Sequence, residues 1–407
     1  MPLSFNDPFG SLGRLFQSAL LNLGIPPGWV TFILLFLGSL VLVGVTLAVA
    51  ALVLIWVERK VGARFQDRLG PNRVGPFGIF QNVADAVKLM TKEDITPSGA
   101  DKVVFNIAPL LVVMSVAGLW AVVPFAPNLI GADLNVGVLY LVSVGGIGGL
   151  GIMLAGMSSN NKYALLGALR AVAMLISFEI PMVLVLLVPT MLAGSMGTVQ
   201  IVQAQHPWYV LVAPVAALIF FVSALAEVGR APFDLLEAES EIVAGFNIEY
   251  SGMKFGLFMV SEFLHAYTIS ALTAMLFLGG WQGPGAETYP LLGLLYFIIK
   301  SSAVYFVVIW FRFSFPRVRI DQMMALNWKF LTPLALTAVV VTALADKLAL
   351  GGGWPRTPTL LGANILLFLV TLFALRGYAR ALRMRLEEGG IEPEVIHGPA
   401  TPSAGTS

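Results

Sequence analysis

Nine apolar runs, each long enough to cross a bilayer as a helix, constrain this chain more than any other feature. They lie at 29–57, 103–124, 136–157, 168–192, 208–228, 254–279, 290–311, 330–349 and 359–379. A hydrocarbon core takes roughly 20 helical residues, and a spanning segment must satisfy its backbone N–H and C=O groups internally. A mean hydropathy of +0.85 excludes an ordinary soluble domain. The expected fold is therefore all-α: a polytopic membrane protein of about nine transmembrane helices in one domain, 29–380. Before it, residues 1–28 carry Phe5, Phe9, Leu12, Phe16 and Leu20 at a spacing that suits a helix lying at the interface. That segment lacks the basic start and small-residue cleavage site of a signal peptide. The tail, 381–407, is rich in Gly, Pro, Ser, Thr and Glu, a composition expected to be disordered.

Charge orients the spans. Lys and Arg collect in the loops after spans 1, 3, 5 and 7 (58–102, 158–167, 229–253 and 312–329), while the loops after spans 2, 4 and 6 carry none. By the positive-inside rule the first set faces the cytoplasm, which puts the N-terminus outside and the C-terminus in the cytoplasm. Lys347 and Arg356, after span 8, run against the rule.

Composition narrows the chemistry. The net charge of +1 suggests no nucleic-acid partner. With no cysteine, the chain holds no disulfide, no thiolate-bound iron–sulfur cluster and no thiolate zinc site. Its three histidines, His206, His265 and His397, are too scattered to suggest a bis-histidine haem. Any redox cofactor is expected in a partner.

Two cytoplasmic loops stand out. In the first, the Gly-Pro pairs at 70–71 and 75–76 signal turns. After them Ile79, Phe80, Val83, Ala86, Val87 and Met90 recur at helical spacing, with Gln81, Asn82, Asp85, Lys88 and Lys92 between them. This predicts an amphipathic surface helix, which either faces lipid alone or takes part in a site. The other loop opens at Glu227 and holds Asp234, Glu237, Glu239, Glu241 and Glu249, with Arg230 as the only cation among them. Carboxylates clustered at a bilayer repel one another and lie near low dielectric, and both effects favour proton uptake. A solvated acidic loop is the other reading.

Together these loops identify a resemblance. Glu58-Arg59, GPNRVGPFG at 70–78, and Gln81, Ala84-Asp85, Lys88 and Lys92-Glu93 resemble the first signature of the H-subunit family of proton-pumping NADH:quinone oxidoreductase, respiratory complex I. The acidic loop is similar to the second, with Glu227, Arg230, Pro232-Phe233-Asp234, Glu237-Ala238-Glu239 and Gly245-Phe246. NKYALLGALR at 161–170, ISFEI at 176–180 and the DQMM motif with Trp328-Lys329 extend it from about residue 29 to 350. Departures are Leu236 for a proline or small residue, Phe178 for a tyrosine, Met174 for a glutamine, and Gly145-Gly146 where some members carry a glutamate.

The resemblance implies a membrane subunit without a redox centre. It walls a quinone chamber whose other walls are two peripheral subunits, one holding the terminal iron–sulfur cluster. Quinone, ubiquinone or menaquinone, is then a substrate, and nothing is bound covalently. Flavin and clusters belong to partners, which include small membrane and antiporter-like subunits. The location implied is the bacterial inner membrane. Quinone-binding residues implied are Arg59, Asp85, Ala86, Lys88 and Phe233. The proton relay implied is Glu58, Glu179, Glu227, Asp234, Glu237, Glu239, Glu241, Glu262 and Lys300.

The residues themselves leave alternatives open. Arg59 either meets a headgroup or anchors span 1 at the interface. Glu58 is equally a local ion-pair partner for Arg59. Glu179 precedes Pro181 inside span 4, Glu262 lies three residues before His265 in span 6, and Lys300 sits near the middle of span 7. Such groups relay protons or lock helices as ion pairs, for example Lys300 with a carboxylate. Competing functions are a secondary transporter, for which no paired repeat is visible, and the equivalent subunit of a membrane-bound hydrogenase or of a ferredoxin- or F420-linked oxidoreductase.

Overall fold

The computed structural model describes residues 8–22, 26–127, 129–234 and 243–388. Its helices are α1 (Pro8–Asn22), α2 (Pro27–Val49), α3 (Ile55–Phe65), α4 (Gln81–Thr91), α5 (Lys102–Leu119), α6 (Gly137–Ser158), α7 (Lys162–Ala193), α8 (Thr198–Gln203), α9 (Tyr209–Val212), α10 (Pro214–Glu227), α11 (Gly252–Phe277), α12 (Pro290–Ser314), α13 (Ile320–Leu326), α14 (Thr332–Gly352) and α15 (Arg356–Glu388). No sheet occurs among the described residues, so the chain is an all-α polytopic membrane protein. Among the described residues, seven helical segments are long and apolar enough to cross a membrane, and Pro27–Gly38 and Pro214–Glu227 are shorter apolar helices at expected spans 1 and 5.

Burial separates centre from periphery. Within their apolar windows α5 and α7 are 56% and 50% buried, whereas α15 is 11% buried. Lipid tails are as apolar as leucine, so spans associate by close packing and polar contacts. At Gly156 of α6 a Cβ would lie 2.2 Å from the Ala168 Cβ of α7, an approach that only glycine permits. The core that results is lined by Phe178, Phe220, Phe277, Met174 and Leu276.

Several elements differ from the expectation. Residues 162–167 form the first turns of α7, and Asn161 caps them by accepting from the Tyr163 N–H at 2.9 Å. The fifth span is broken: Ala213 is non-helical, immediately before Pro214 at the start of α10. The stretch 312–329, expected as a loop, is largely helix, because α12 runs to Ser314 and α13 fills Ile320–Leu326. α15 continues to Glu388, past 381 where the tail was expected to begin. Phe5 and residues 389–407 lie outside the described residues.

Three interior carbonyls show how the spans tolerate irregular backbone. Proline has no N–H, so Pro109 leaves the Phe105 carbonyl unbonded within α5. The Tyr250 hydroxyl donates to it at 3.2 Å. Pro181 does the same to Ser177 in α7, and the Asn327 side-chain amide donates to that carbonyl. A π-turn at Ala50–Leu54 interrupts the first span, and Asn82 of α4 donates to the Leu52 carbonyl at 3.0 Å.

The orientation expected from loop charge has a direct consequence in this cysteine-free chain. Single cysteines at the exposed positions Lys162 and Asp321 should resist an impermeant thiol reagent applied outside intact cells, and cysteines at Asp133 and Glu287 should react. The reverse pattern would invert the topology.

Candidate functional site

An acidic cavity of about 180 Å³ lies among α5, α6, α7, α11 and the start of the acidic loop. Four carboxylates from three stretches of sequence face it: Glu179 of α7, Glu227 at the end of α10 with Asp234 in the loop that follows, and Glu262 of α11. That volume has room for several waters. The α6 wall is nearly bare. A Cβ at Gly145 would lie 3.8 Å from Glu227 Oε1, and one at Gly146 would lie 3.8 Å from Glu179 Oε1. The Gly145-Gly146 departure therefore faces both acids. His265 Nε2 is 3.9 Å from Glu227 Oε1, while Glu262 Oε1 is 3.2 Å from Arg230 Nε. Three residues apart on one helix, Glu262 and His265 serve different partners.

Arg230 is the hub beside this cavity. Its guanidinium is 2% exposed, pairs with Glu58 and Glu262, and stacks 4.7 Å from the Phe263 ring centroid. Arg312 also pairs with Glu58, whose other oxygen accepts from the Tyr305 hydroxyl at 3.1 Å. Two carboxylates thus face two guanidiniums, the pairing that makes buried charge tolerable. Glu58 does not pair with Arg59: adjacent helical residues point about 100° apart, and Glu58 turns inward while Arg59 turns out. Sequence reading put neither Arg312 nor Tyr305 at the site. Arg230, the lone cation in an acidic loop, was the available signal.

The outer group sits on the surface helix. Arg59 Nη1 donates to Asp85 Oδ2 at 2.5 Å, Gln81 donates to Asp85 Oδ1 at 3.3 Å, and Lys88 Nζ lies 3.6 Å from it. Partial burial works to raise the Asp85 pKa, but the Arg59 hydrogen bond and charge, with Gln81 and Lys88, outweigh it and hold the carboxyl below its usual value. A depressed carboxyl contributes stability above its unfolded pKa and loses it only as pH falls through the lower folded value. The Asp85 carboxylate is therefore charged throughout the neutral range. Ala86 is half-buried on the same helix. The loop before α4 depends on Gly78, which has φ +75° and whose Cβ would lie 2.2 Å from the Pro71 carbonyl oxygen.

Arg59 lines a cleft with Glu58, Arg68, Pro71, Phe263 and Arg312. Arg312 also lines the acidic cavity. Arg312 is thus common to both, while Glu58 lines the cleft and Arg230 lines the cavity, and the buried ion pairs of these three residues connect the two spaces.

Other expected residues lie elsewhere. Phe233 is buried with its ring centroid 5.5 Å from that of Phe178. Lys300 is not in the cavity wall. Its Nζ donates to the Leu278 and Gln282 carbonyls at 2.8 Å each and lies 4.6 Å from the Trp208 ring, so backbone oxygens, not a carboxylate, meet this ammonium. Glu249 accepts from Asn161 Nδ2 at 2.7 Å. Glu237, Glu239, Glu241 and Leu236 lie outside the described residues.

Fold and site together define a helical membrane protein with an internal acidic cavity joined by buried ion pairs to a surface cleft. The NADH dehydrogenase family model matches residues 37–343. The H subunit of NADH-quinone oxidoreductase from Dehalococcoides mccartyi (strain CBDB1) is 48% identical over 330 residues, 80% of this chain and 91% of the relative. Its namesake from Geobacillus sp. (strain WCH70) is 45% identical over 79% of this chain and 97% of its own length. Another, from Geobacillus kaustophilus (strain HTA426), is 47% identical over 78% and 96%. The chain belongs to the NADH dehydrogenase family. The matched region ends within α14, so α15 lies beyond it.

Proposed function

We propose that this chain is the membrane subunit of a proton-translocating NADH:quinone oxidoreductase, forming the membrane side of the quinone chamber and coupling quinone reduction to proton movement. One observation carries the reading: the ion-paired Glu58–Arg230–Arg312 cluster connects the cleft at Arg59, which Glu58 and Arg312 line, to the cavity holding Glu179, Glu227, Asp234 and Glu262, which Arg230 and Arg312 line. A charge change in the cleft acts on that cluster across low dielectric and, through Arg230, on Glu262.

In this reading quinone, whether ubiquinone or menaquinone, is the substrate. Its headgroup sits at the cleft mouth near Arg59, Asp85, Ala86 and Lys88, where an oily opening offers a few polar partners. Reduction takes two electrons, delivered through flavin and iron–sulfur clusters of peripheral partners docked on the basic face, and two protons. The quinone has no charge before and after, but each electron places negative charge in the cleft until a proton follows. The acids of the cavity, with Glu237, Glu239 and Glu241 of the same loop, exchange protons in response and pass the effect to small and antiporter-like membrane subunits. The subunit lies in the bacterial inner membrane with its basic loops in the cytoplasm. Phe233, packed on Phe178, serves the site by positioning the loop between Arg230 and Asp234.

Purification of the tagged chain from membranes should bring down partners carrying flavin and several iron–sulfur clusters. A nickel–iron partner, or a solitary chain, would overturn the assignment. Within that complex, Arg59→Ala should leave assembly and electron transfer to an upstream artificial acceptor unchanged while quinone reduction falls by about tenfold or more. Equal loss of both activities would make Arg59 an interfacial anchor.

A further inference from the structure

We propose that Asn327 is a positioning residue for Glu179 and acts by occupying the backbone carbonyl that Pro181 leaves without a partner. In an α-helix the N–H of residue 181 would bond to the carbonyl of residue 177. Proline has no N–H and its ring crowds that carbonyl, so the turn from Ser177 to Pro181 opens. Glu179 is the middle residue of that turn. The freed carbonyl lies away from bulk solvent, since Ser177 is 3% exposed and Asn327 is fully buried. Asn327 Nδ2 donates to the Ser177 carbonyl instead.

The donor is well placed and has no other task. Asn327 opens the π-turn Asn327–Leu331 between α13 and α14, where the helical repeat is interrupted. Its amide oxygen has no hydrogen-bond partner among the described residues. Turning the amide over would set oxygen against oxygen, so the donor assignment follows from the chemistry. The contact joins the end of the 312–329 stretch to the turn that aims Glu179 at Gly146. A second span uses the same device: Pro109 frees the Phe105 carbonyl, and Tyr250, at the end of the acidic loop, donates to it. In both spans a residue at or beside a basic-face loop closes the break left by a proline.

The inference rests on the reading that Glu179 carries protons, and the experiment separates the two. In the assembled complex in membrane vesicles, quinone reduction and protons moved per quinone reduced are measured for Glu179→Gln, Asn327→Leu and Asn327→His. Leucine keeps the shape of asparagine and has no donor, while histidine keeps an N–H donor at similar reach. Asn327→Leu should retain quinone reduction within about twofold but lose about fivefold or more in protons per quinone, with a displaced pH profile of translocation. Asn327→His should translocate within about twofold of the parent. Pro181→Ala restores the missing N–H, so the double variant Pro181→Ala/Asn327→Leu must assemble even where Asn327→Leu alone does not. Normal translocation by Asn327→Leu overturns the proposal. So does a double variant that fails to assemble, which would make Asn327 a packing residue. Normal translocation by Glu179→Gln would instead overturn the proton reading, and the proposed role of Asn327 would fall with it.

Discussion

Glu179→Gln and Glu227→Gln are each expected to assemble normally, yet lose most quinone-linked proton translocation, by about tenfold or more. Glutamine keeps the shape of the carboxylate and fixes its charge at zero. Both acids face one cavity, opposite the adjacent glycines Gly145 and Gly146 of α6. Two unit charges about 6–10 Å apart at an effective dielectric near 20 interact by roughly 2–3 kcal/mol. That is enough to move a proton when one new charge appears nearby. The double variant should be no worse than the poorer single, because members of one unit are not additive. The measurement is proton uptake per quinone reduced in vesicles. Near-normal translocation in both single variants would leave the acids as structural groups.

Arg230→Met should act at an earlier stage, on the existence of the subunit. Methionine fills much of the volume but leaves Glu262 without its guanidinium and Glu58 with Arg312 and Tyr305 alone. Breaking a buried pair from one side costs about 3–5 kcal/mol, because the remaining charge is stranded. The yield of intact complex from solubilised membranes should fall about a hundredfold. Adding Glu262→Gln removes the stranded charge and should restore part of that yield. Full yield from Arg230→Met would show that water, not Arg230, balances the two acids. Arg59→Ala provides the contrast: its side chain is 44% exposed, and an exposed pair contributes little to stability.

The two arginines show where sequence reading stopped. Arg59 stood in a motif beside Glu58, and the neighbouring pair was the obvious partnership. Helical geometry sends adjacent side chains about 100° apart, so Glu58 reached Arg230 across 172 positions of sequence. The surface helix was legible because its apolar spacing is a local property: α4 covers Gln81–Thr91, with Val83, Val87 and Met90 exposed where lipid would lie. The helices in 312–329 were hidden for the converse reason. Asp321 and Gln322 are polar, and apolar length says nothing of backbone hydrogen bonds in a segment such as α13. Lys300 was legible as an intramembrane cation, but its partners are carbonyls exposed by the end of α11, which no residue type announces.

By itself the sequence determined the membrane class, the helical fold, the family motifs and the ionisable residues stranded among apolar runs. Each follows from local composition, since a bilayer admits only long apolar helices and makes every charge among them conspicuous. Only the tertiary structure decided which charges meet. It drew Glu179, Glu227, Asp234 and Glu262 to one cavity, set Arg230 and Arg312 between that cavity and the cleft, and closed the Pro181 break with Asn327. In low dielectric a buried charge or carbonyl must find a partner wherever the packing of helices brings one, and that packing joins residues the chain keeps far apart.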